Sequence, residues 1–164
     1  MKKYFRDETG MYIDWEQLDR LPKIDTLVDI GVGPMGTPEL YERFESATLL
    51  LIDPLDETEN YIDGNLDGRN VIFHKCGVGK ETAQLIINVE EEIGRSSILD
   101  VADINYEGEA VDRREIEIKT LDAIVSSEGD LGKLGVKIDT EGFELNIILG
   151  ASETLKSTEF VLAE

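Results

Sequence analysis

Cysteine is almost missing from this chain. Cys76 is the only one in 164 residues, so no disulfide can close within the chain and a reducing, cytoplasmic setting is expected. With no nucleophile motif beside it, Cys76 reads as a small apolar residue buried on a strand. Basic residues are scarce: 16 Lys and Arg stand against 36 Asp and Glu, a formal net charge of -20. Phosphate contacts need clustered cations, so this balance argues against a nucleic-acid partner and against an anionic membrane. The acidity reads as a solvated, self-repelling surface. Long apolar runs are lacking too. Nothing approaches membrane-spanning length, and the start, Met1-Lys2-Lys3-Tyr4, has no signal-peptide core. The single histidine, His74, sits inside an apolar run, where packing suits it better than catalysis. No repeat, low-complexity tract or linker divides the chain.

What is present, 41% hydrophobic and 32% charged residues, is the composition of one globular domain over residues 1–164. Its centre is Asp29-Ile30-Gly31-Val32-Gly33-Pro34-Met35-Gly36, where the apolar run Thr26-Leu27-Val28 ends in a glycine turn and a helix begins. Gly31, Gly33 and Gly36 have G-x-G-x-x-G spacing, which lets backbone turn sharply and approach a ligand without a Cβ in the way. Asp53 ends the next apolar run, Thr48–Ile52, where a carboxylate can accept both hydroxyls of a ribose. Asp29 bears on the choice of cofactor. It would repel a pyrophosphate but attract the ammonium of a methionine moiety, which favours S-adenosylmethionine over NAD.

Around this turn the chain reads as alternating elements. Asp14 to Leu21 has the pattern of a short helix, with Asp14 as N-cap, Gln17 as its capping partner, Trp15, Leu18 and Leu21 on one face, and Pro22 as its end. Residues 1–24 thus form an N-terminal segment and 25–164 the core. Thr37 and Pro38 start a helix running to about Ser46, strand two ends at Asp53, and a helix from Pro54 to Ile62 breaks at Asp63-Gly64-Asn65 and Asp67-Gly68. Strand three is Val71 to Cys76. This β-α-β-α-β series predicts a parallel α/β sheet with a ligand at the carboxyl ends of its strands. Gly77-Val78-Gly79-Lys80 then reads as a turn. Strands over Thr82–Asn88 and Glu115–Thr120 flank a polar excursion from Glu90 to Arg114, an inserted pair beside a substrate-side loop. A helix from Leu121 to Ser126, strand four over Val136–Asp139, a helix from Phe143 to Lys156 and strand five over Phe160–Ala163 complete the pattern. On the last helix Phe143, Ile147, Leu149, Ala151 and Leu155 read as the apolar face.

Asp29 to Gly33, Leu51-Ile52-Asp53-Pro54, Gly94-Arg95-Ser96-Ser97-Ile98, Lys119-Thr120-Leu121-Asp122, Val136 to Glu144 and Leu149-Gly150-Ala151 resemble, in order and spacing, the FkbM-type methyltransferases. The resemblance spans about Leu27 to Glu164 and is most specific at strand four. It implies a class I, Rossmann-like doubly wound fold with sheet order 3-2-1-4-5. It also implies S-adenosylmethionine as cofactor, and methylation of an oxygen on a small molecule or sugar as the activity. The family commonly has glutamate where Asp53 stands. It also usually continues past strand five with a helix and an antiparallel strand pair, which this sequence lacks. Strand five is then expected to be an open edge, covered by homodimer formation or by the N-terminal segment.

Asp139 and Glu141, at the carboxyl end of strand four, are the candidate catalytic residues: either can accept the acceptor's proton or bind a divalent cation, and no metal site is assigned. Structural roles compete, with Glu141 as a charge at a helix N-terminus and Asp139 as partner of Lys137. Arg95, Ser96 and Ser97 are candidate substrate contacts, Arg95 for an anionic group. Asp29, Gly31, Gly33, Gly36 and Asp53 are the candidate cofactor residues. Two other functions remain open: a truncated domain of this type that binds S-adenosylmethionine or a protein without turnover, and an NAD-dependent oxidoreductase. Against the latter, no Tyr-x-x-x-Lys pair follows any of the five tyrosines.

Overall fold

The computed structural model describes residues 4–6, 12–14, 18–98 and 112–163. Two short strands, β1 (Tyr4–Arg6) and β2 (Tyr12–Asp14), pair antiparallel. Asp14 therefore ends a strand, and the start of the helix expected from it lies outside the described residues. Trp15 and Gln17 lie outside the described residues, and from Leu18 the chain makes a turn in which the Leu21 N–H donates to the Leu18 carbonyl at 3.1 Å.

The core then runs β3 (Thr26–Ile30), α1 (Pro38–Arg43), β4 (Thr48–Ile52), α2 (Asp56–Asn65) and β5 (Val71–His74). After these come β6 (Gly77–Val78), β7 (Ala83–Val89), β8 (Asp112–Lys119), α3 (Leu121–Glu128), β9 (Leu134–Ile138), α4 (Glu144–Leu149) and β10 (Thr158–Ala163). Five strands form one parallel sheet in the order β10-β9-β3-β4-β5. Counted as strands one to five of the core, that is the expected order three-two-one-four-five. The order reverses at β3, so a cleft opens where the chain leaves β3 in one direction and β9 in the other.

The central strands β3, β4 and β9 are buried on both faces, which is why they read as continuous apolar runs. Alternate residues serve opposite layers. Leu27, Leu49 and Leu51 meet Leu40, Tyr41 and Phe44 of α1 and its flank. Val28, Ile30, Leu50 and Val136 meet Leu121 and Ile124 of α3 and Ile147 of α4. β10 is an edge of this sheet among the described residues, as expected.

The inserted pair is present as β7 and β8, antiparallel from Ala83↔Ile118 to Val89↔Asp112. A third strand joins it. Gly77–Val78, read from its glycines as a turn, is a strand parallel to β8; a Cβ at Gly77 would lie 2.6 Å from Ile118 Cδ1, so this glycine serves close approach. Ile87, Val89, Ile116 and Ile118 pack around Leu55, and the Arg114 guanidinium forks onto Glu57 of α2 at 2.9 and 3.1 Å. The insert is thereby fastened over the loop that follows β4. Residues 99–111, the middle of the polar excursion, lie outside the described residues.

Helix ends differ from the sequence expectation for local reasons. α2 continues through Asp63-Gly64-Asn65 because Leu66 is buried and its N–H still bonds Ile62, and the chain breaks at Asp67-Gly68 instead. α1 stops at Arg43, and the Arg69 guanidinium caps its end through the Tyr41 and Phe44 carbonyls, each at 3.1 Å. The long helix to Lys156 is split into α4 and a 3-10 turn, Thr154–Ser157. Gly150 lies against Gly79, so close that a Cβ would stand 2.0 Å from the Gly79 carbonyl oxygen. Leu149 then leaves the apolar face and is 60% exposed, while Phe143, Ile147 and Ala151 stay buried.

The 3-10 turn is started by Asp122 at the head of α3. Its carboxylate accepts from the Thr154 N–H (2.7 Å), the Thr154 hydroxyl (2.8 Å) and the Glu153 N–H (3.1 Å). Burial alone would raise its pKa, but these donors outweigh burial and the net shift is downward. Stability from this clamp is therefore present above the ordinary aspartate pKa and is lost as pH falls through the depressed value. Asp122→Ala is expected to cost about 1–3 kcal/mol by orphaning those donors. Urea denaturation of wild type and variant at pH 7 and pH 3 checks it, with the gap narrowing at the lower pH.

Candidate active site

The cleft lies at the carboxyl ends of β3, β4 and β9 and encloses about 590 Å3 of atom-free space, open solvent included. Gly31, Gly33 and Asp53 form one wall; Asp139, Thr140 and Glu141 form the other. Ile30, Ile52 and Val78 line it from the sheet side, and Ile93 and Ser96 come from the loop after β7. Cys76 also lines it. Burial pushes its thiol up to about 11, so it is an uncharged apolar surface at neutral pH.

The three glycines have separate tasks. Gly31, at φ 78°, turns the chain where a Cβ would lie 1.7 Å from the Asp139 carbonyl oxygen, so the turn rests directly on the end of β9. Gly33, at φ 61°, is the open one: a Cβ there meets only Gly94 Cα, at 3.9 Å. Gly36 does not line the cleft. It packs against the Tyr61 ring, which a Cβ would overlap at 2.5 Å, so its part is to seat α2 beside the turn.

Asp53 is 5% exposed and faces the cleft, with Oδ2 accepting from the Gly33 N–H and Oδ1 from the Leu55 N–H, both at 2.9 Å. Burial raises its pKa, and the two N–H donors partly oppose the rise. The Thr58 hydroxyl opposes it as well, and of the carboxylate's roughly four lone-pair positions at least one remains for a ligand.

Asp29 differs from the expectation. It is completely buried beneath the turn and does not line the cleft. Tyr41 and Thr37 donate their hydroxyls to Oδ2 at 2.6 and 3.1 Å, so Thr37 holds the N-cap position of α1 as expected but spends its hydroxyl on Asp29 and not on a capping bond. Burial, and after it the Asp29 charge, push the Tyr41 hydroxyl far above its ordinary range, so it remains a donor. Oδ1 faces Lys137 Nζ at 3.0 Å, near enough for an ion pair though poorly angled for a hydrogen bond. With Lys137 as its counter-ion, Asp29 has no need of a ligand's ammonium. The sequence held the clue only in the pairing register: Asp29 is opposite Lys137 across β3 and β9.

Asp139 follows the end of β9, its side chain 29% exposed, with Oδ2 3.4 Å from Lys137 Nζ. The expected pairing of these two residues is present. Glu141 is the one non-glycine at positive φ, 52°, among the described residues. Such a conformation costs about 1–2 kcal/mol. Neighbours on both sides sustain it. The Ser97 hydroxyl donates to the Glu141 carbonyl at 2.7 Å, and Glu144 Oε1 accepts from the Thr140 N–H, the Thr140 hydroxyl and the Gly142 N–H at 3.0 to 3.1 Å. Glu144, not Glu141, is thus the carboxylate that organises the start of α4. The Glu141 carboxyl is raised by partial burial and then by Asp139, with Arg95 pulling the other way.

Of the three candidate substrate contacts, only Ser96 reaches the cleft wall, and its hydroxyl already accepts from the Glu90 N–H at 3.2 Å. Ser97 is buried against Glu141. Arg95 lies outside the lining and pairs with Glu92 at 3.6 Å, a partner one helical turn back that its i,i+3 spacing permits. Among the described residues no cluster of three His, Cys, Asp or Glu is arranged for a metal ion, and no helix is long and apolar enough to cross a membrane.

A parallel sheet wound in both directions, a glycine turn after its first core strand, and an acid at the end of the second define an α/β protein with a cleft at the switch point. Residues 30–164 match the model of the methyltransferase FkbM domain, and the chain belongs to that family. It is 24% identical over 151 residues to Methyltransferase 1 of Beauveria bassiana (strain ARSEF 2860), covering 80% of this chain and 60% of that protein. The crystal structure of methyltransferase FkbM from Methylobacillus flagellatus KT superposes with a TM-score of 0.53 at 18% identity, over 81% of this chain and 30% of that one. That likeness is one of fold. The chain spans less than two thirds of the length of either relative.

Proposed function

We propose that this chain binds S-adenosylmethionine in the cleft and directs its methyl group to a hydroxyl of a small molecule or sugar. The observation that carries the reading is the facing of two walls. Gly33 and Asp53 offer an open backbone and a buried carboxylate on one side; Asp139 and Glu141 offer two carboxylates on the other. The residues fit such a ligand: a Cβ at Gly33 would meet only Gly94, Asp53 keeps acceptor capacity for a ribose hydroxyl, and Ile30, Ile52 and Val78 supply apolar surface for a base or thioether.

When bound, S-adenosylmethionine supplies an electrophilic methyl group on a sulfonium. The protein's part is to hold an acceptor oxygen in line with it, an orientation effect worth up to about 7–11 kcal/mol. Glu141 is the better placed to take the acceptor's proton, because burial and Asp139 raise its proton affinity above that of an ordinary glutamate. Asp139, paired with Lys137, orients the hydroxyl by accepting its hydrogen bond.

Calorimetry with S-adenosylhomocysteine and NAD tests the reading. One molecule of S-adenosylhomocysteine bound per chain, and no heat with NAD, is the expected result. Binding of NAD alone, or of neither, would overturn it.

A further inference from the structure

Lys137 is a buried cation at the junction of the two walls. Its side chain is 11% exposed, and three acceptors surround its Nζ: the Gly31 carbonyl at 3.0 Å, Asp29 Oδ1 at 3.0 Å and Asp139 Oδ2 at 3.4 Å. The Gly31 carbonyl takes its hydrogen bond, and the two carboxylates pair with its charge. The three acceptors belong to different parts of the structure around the cleft. Asp29 lies beneath the glycine turn, Gly31 is the turn itself, and Asp139 belongs to the acceptor wall. Register places them: Asp29 is opposite Lys137 in the sheet, and Asp139 follows two residues along the same strand direction, on the same face.

We propose that Lys137 is the positioning residue of this cleft, its one ammonium group tying the glycine turn to the Asp139 carboxylate so that both walls keep a fixed separation. The proposal deepens the functional reading above and rests on it for the ligand. A lysine suits the place because a compact charge can meet acceptors in three directions, where a planar guanidinium would need them in one plane. Asp29 makes that charge tolerable in the interior: burial would strip the proton from Lys137, and Asp29 together with Asp139 outweighs burial and holds it charged. Two carboxylates share one ammonium, and the less buried of them, Asp139, carries the residual negative charge at the cleft.

Because Lys137→Met alone strands the Asp29 charge, the informative comparison is between Asp29→Asn and the double variant Asp29→Asn/Lys137→Met. Both remove the buried anion. Only the second removes the tie from Gly31 and Asp139. Urea denaturation should find the two variants similarly stable, which sets aside a role confined to supporting the fold. Titration with S-adenosylhomocysteine should then show the double variant binding about tenfold more weakly than Asp29→Asn, from loss of the lysine donor at the turn. In the ligand-free proteins, amide hydrogen exchange at residues 31–33 and 139–141 should speed up together in the double variant. Equal affinity and equal exchange in the two variants would overturn the proposal. If wild type binds no S-adenosylhomocysteine, the functional reading fails, and the exchange comparison still decides whether Lys137 couples the walls.

Discussion

Gly31→Ala is expected to be among the most damaging single substitutions in this chain. The added methyl would lie 1.7 Å from the Asp139 carbonyl oxygen and 3.1 Å from Thr140 Cγ2, on a residue held at φ 78°. The left-handed conformation costs about 1–2 kcal/mol for a residue with a Cβ, and forced overpacking adds about 1–3 kcal/mol. A backbone carbonyl at the end of a central strand cannot swing aside as a side chain can. The turn must therefore lift from β9, carrying the Gly31 carbonyl away from Lys137 and widening the cleft. A loss of about 2–5 kcal/mol in urea denaturation, with loss of S-adenosylhomocysteine binding in whatever fraction stays folded, is the expected outcome. The same substitution at Gly33, where only Gly94 is near, removes ligand space without that backbone collision.

The second large effect is at Asp53. Asp53→Ala removes the acceptor of the Gly33 and Leu55 N–H groups together with the ligand's hydroxyl partner, and should weaken S-adenosylhomocysteine by about 1–3 kcal/mol. Asp53→Asn is the milder change: it keeps one acceptor oxygen, but its NH2 group must face either the Gly33 or the Leu55 N–H, and the charge is lost. Proton linkage has a definite sign here. Burial raises the Asp53 pKa, so wild-type affinity should fall as pH drops through a value above the ordinary aspartate range, because a protonated carboxyl accepts fewer hydrogen bonds. Titrations from neutral pH downward check this, and the dependence should disappear in Asp53→Asn.

Much of the fold was legible because it depends on short-range pattern. The run Thr48–Ile52 gave β4 at its observed bounds, and the parallel sheet followed from alternation of strands and helices, while the strand order came from the family resemblance. What was illegible depends on partners far along the chain. Helical spacing alone carried α4 on to Lys156; the break comes from Gly150 meeting Gly79 and from Asp122 claiming the N–H groups of Glu153 and Thr154. The site divides in the same way. Gly33, Asp53, Asp139 and Glu141 could be placed at the cleft because strand ends are visible in a sequence. Asp29 was assigned to a ligand because its counter-ion, Lys137, lies 108 positions later and meets it only through the β3/β9 register. Ser97 and Arg95 share a loop with Ser96, but Ser97 is turned from the cleft wall by its bond to Glu141, 44 positions later.

The most direct measurement is a crystal structure of the protein with S-adenosylhomocysteine. The account predicts the ligand in the cleft between Gly33 and Glu141, its ribose hydroxyls on the Asp53 carboxylate, and Asp29 still paired with Lys137 beneath the turn. A ligand bound elsewhere on the protein, or one whose ammonium displaces Lys137 from Asp29, would contradict it.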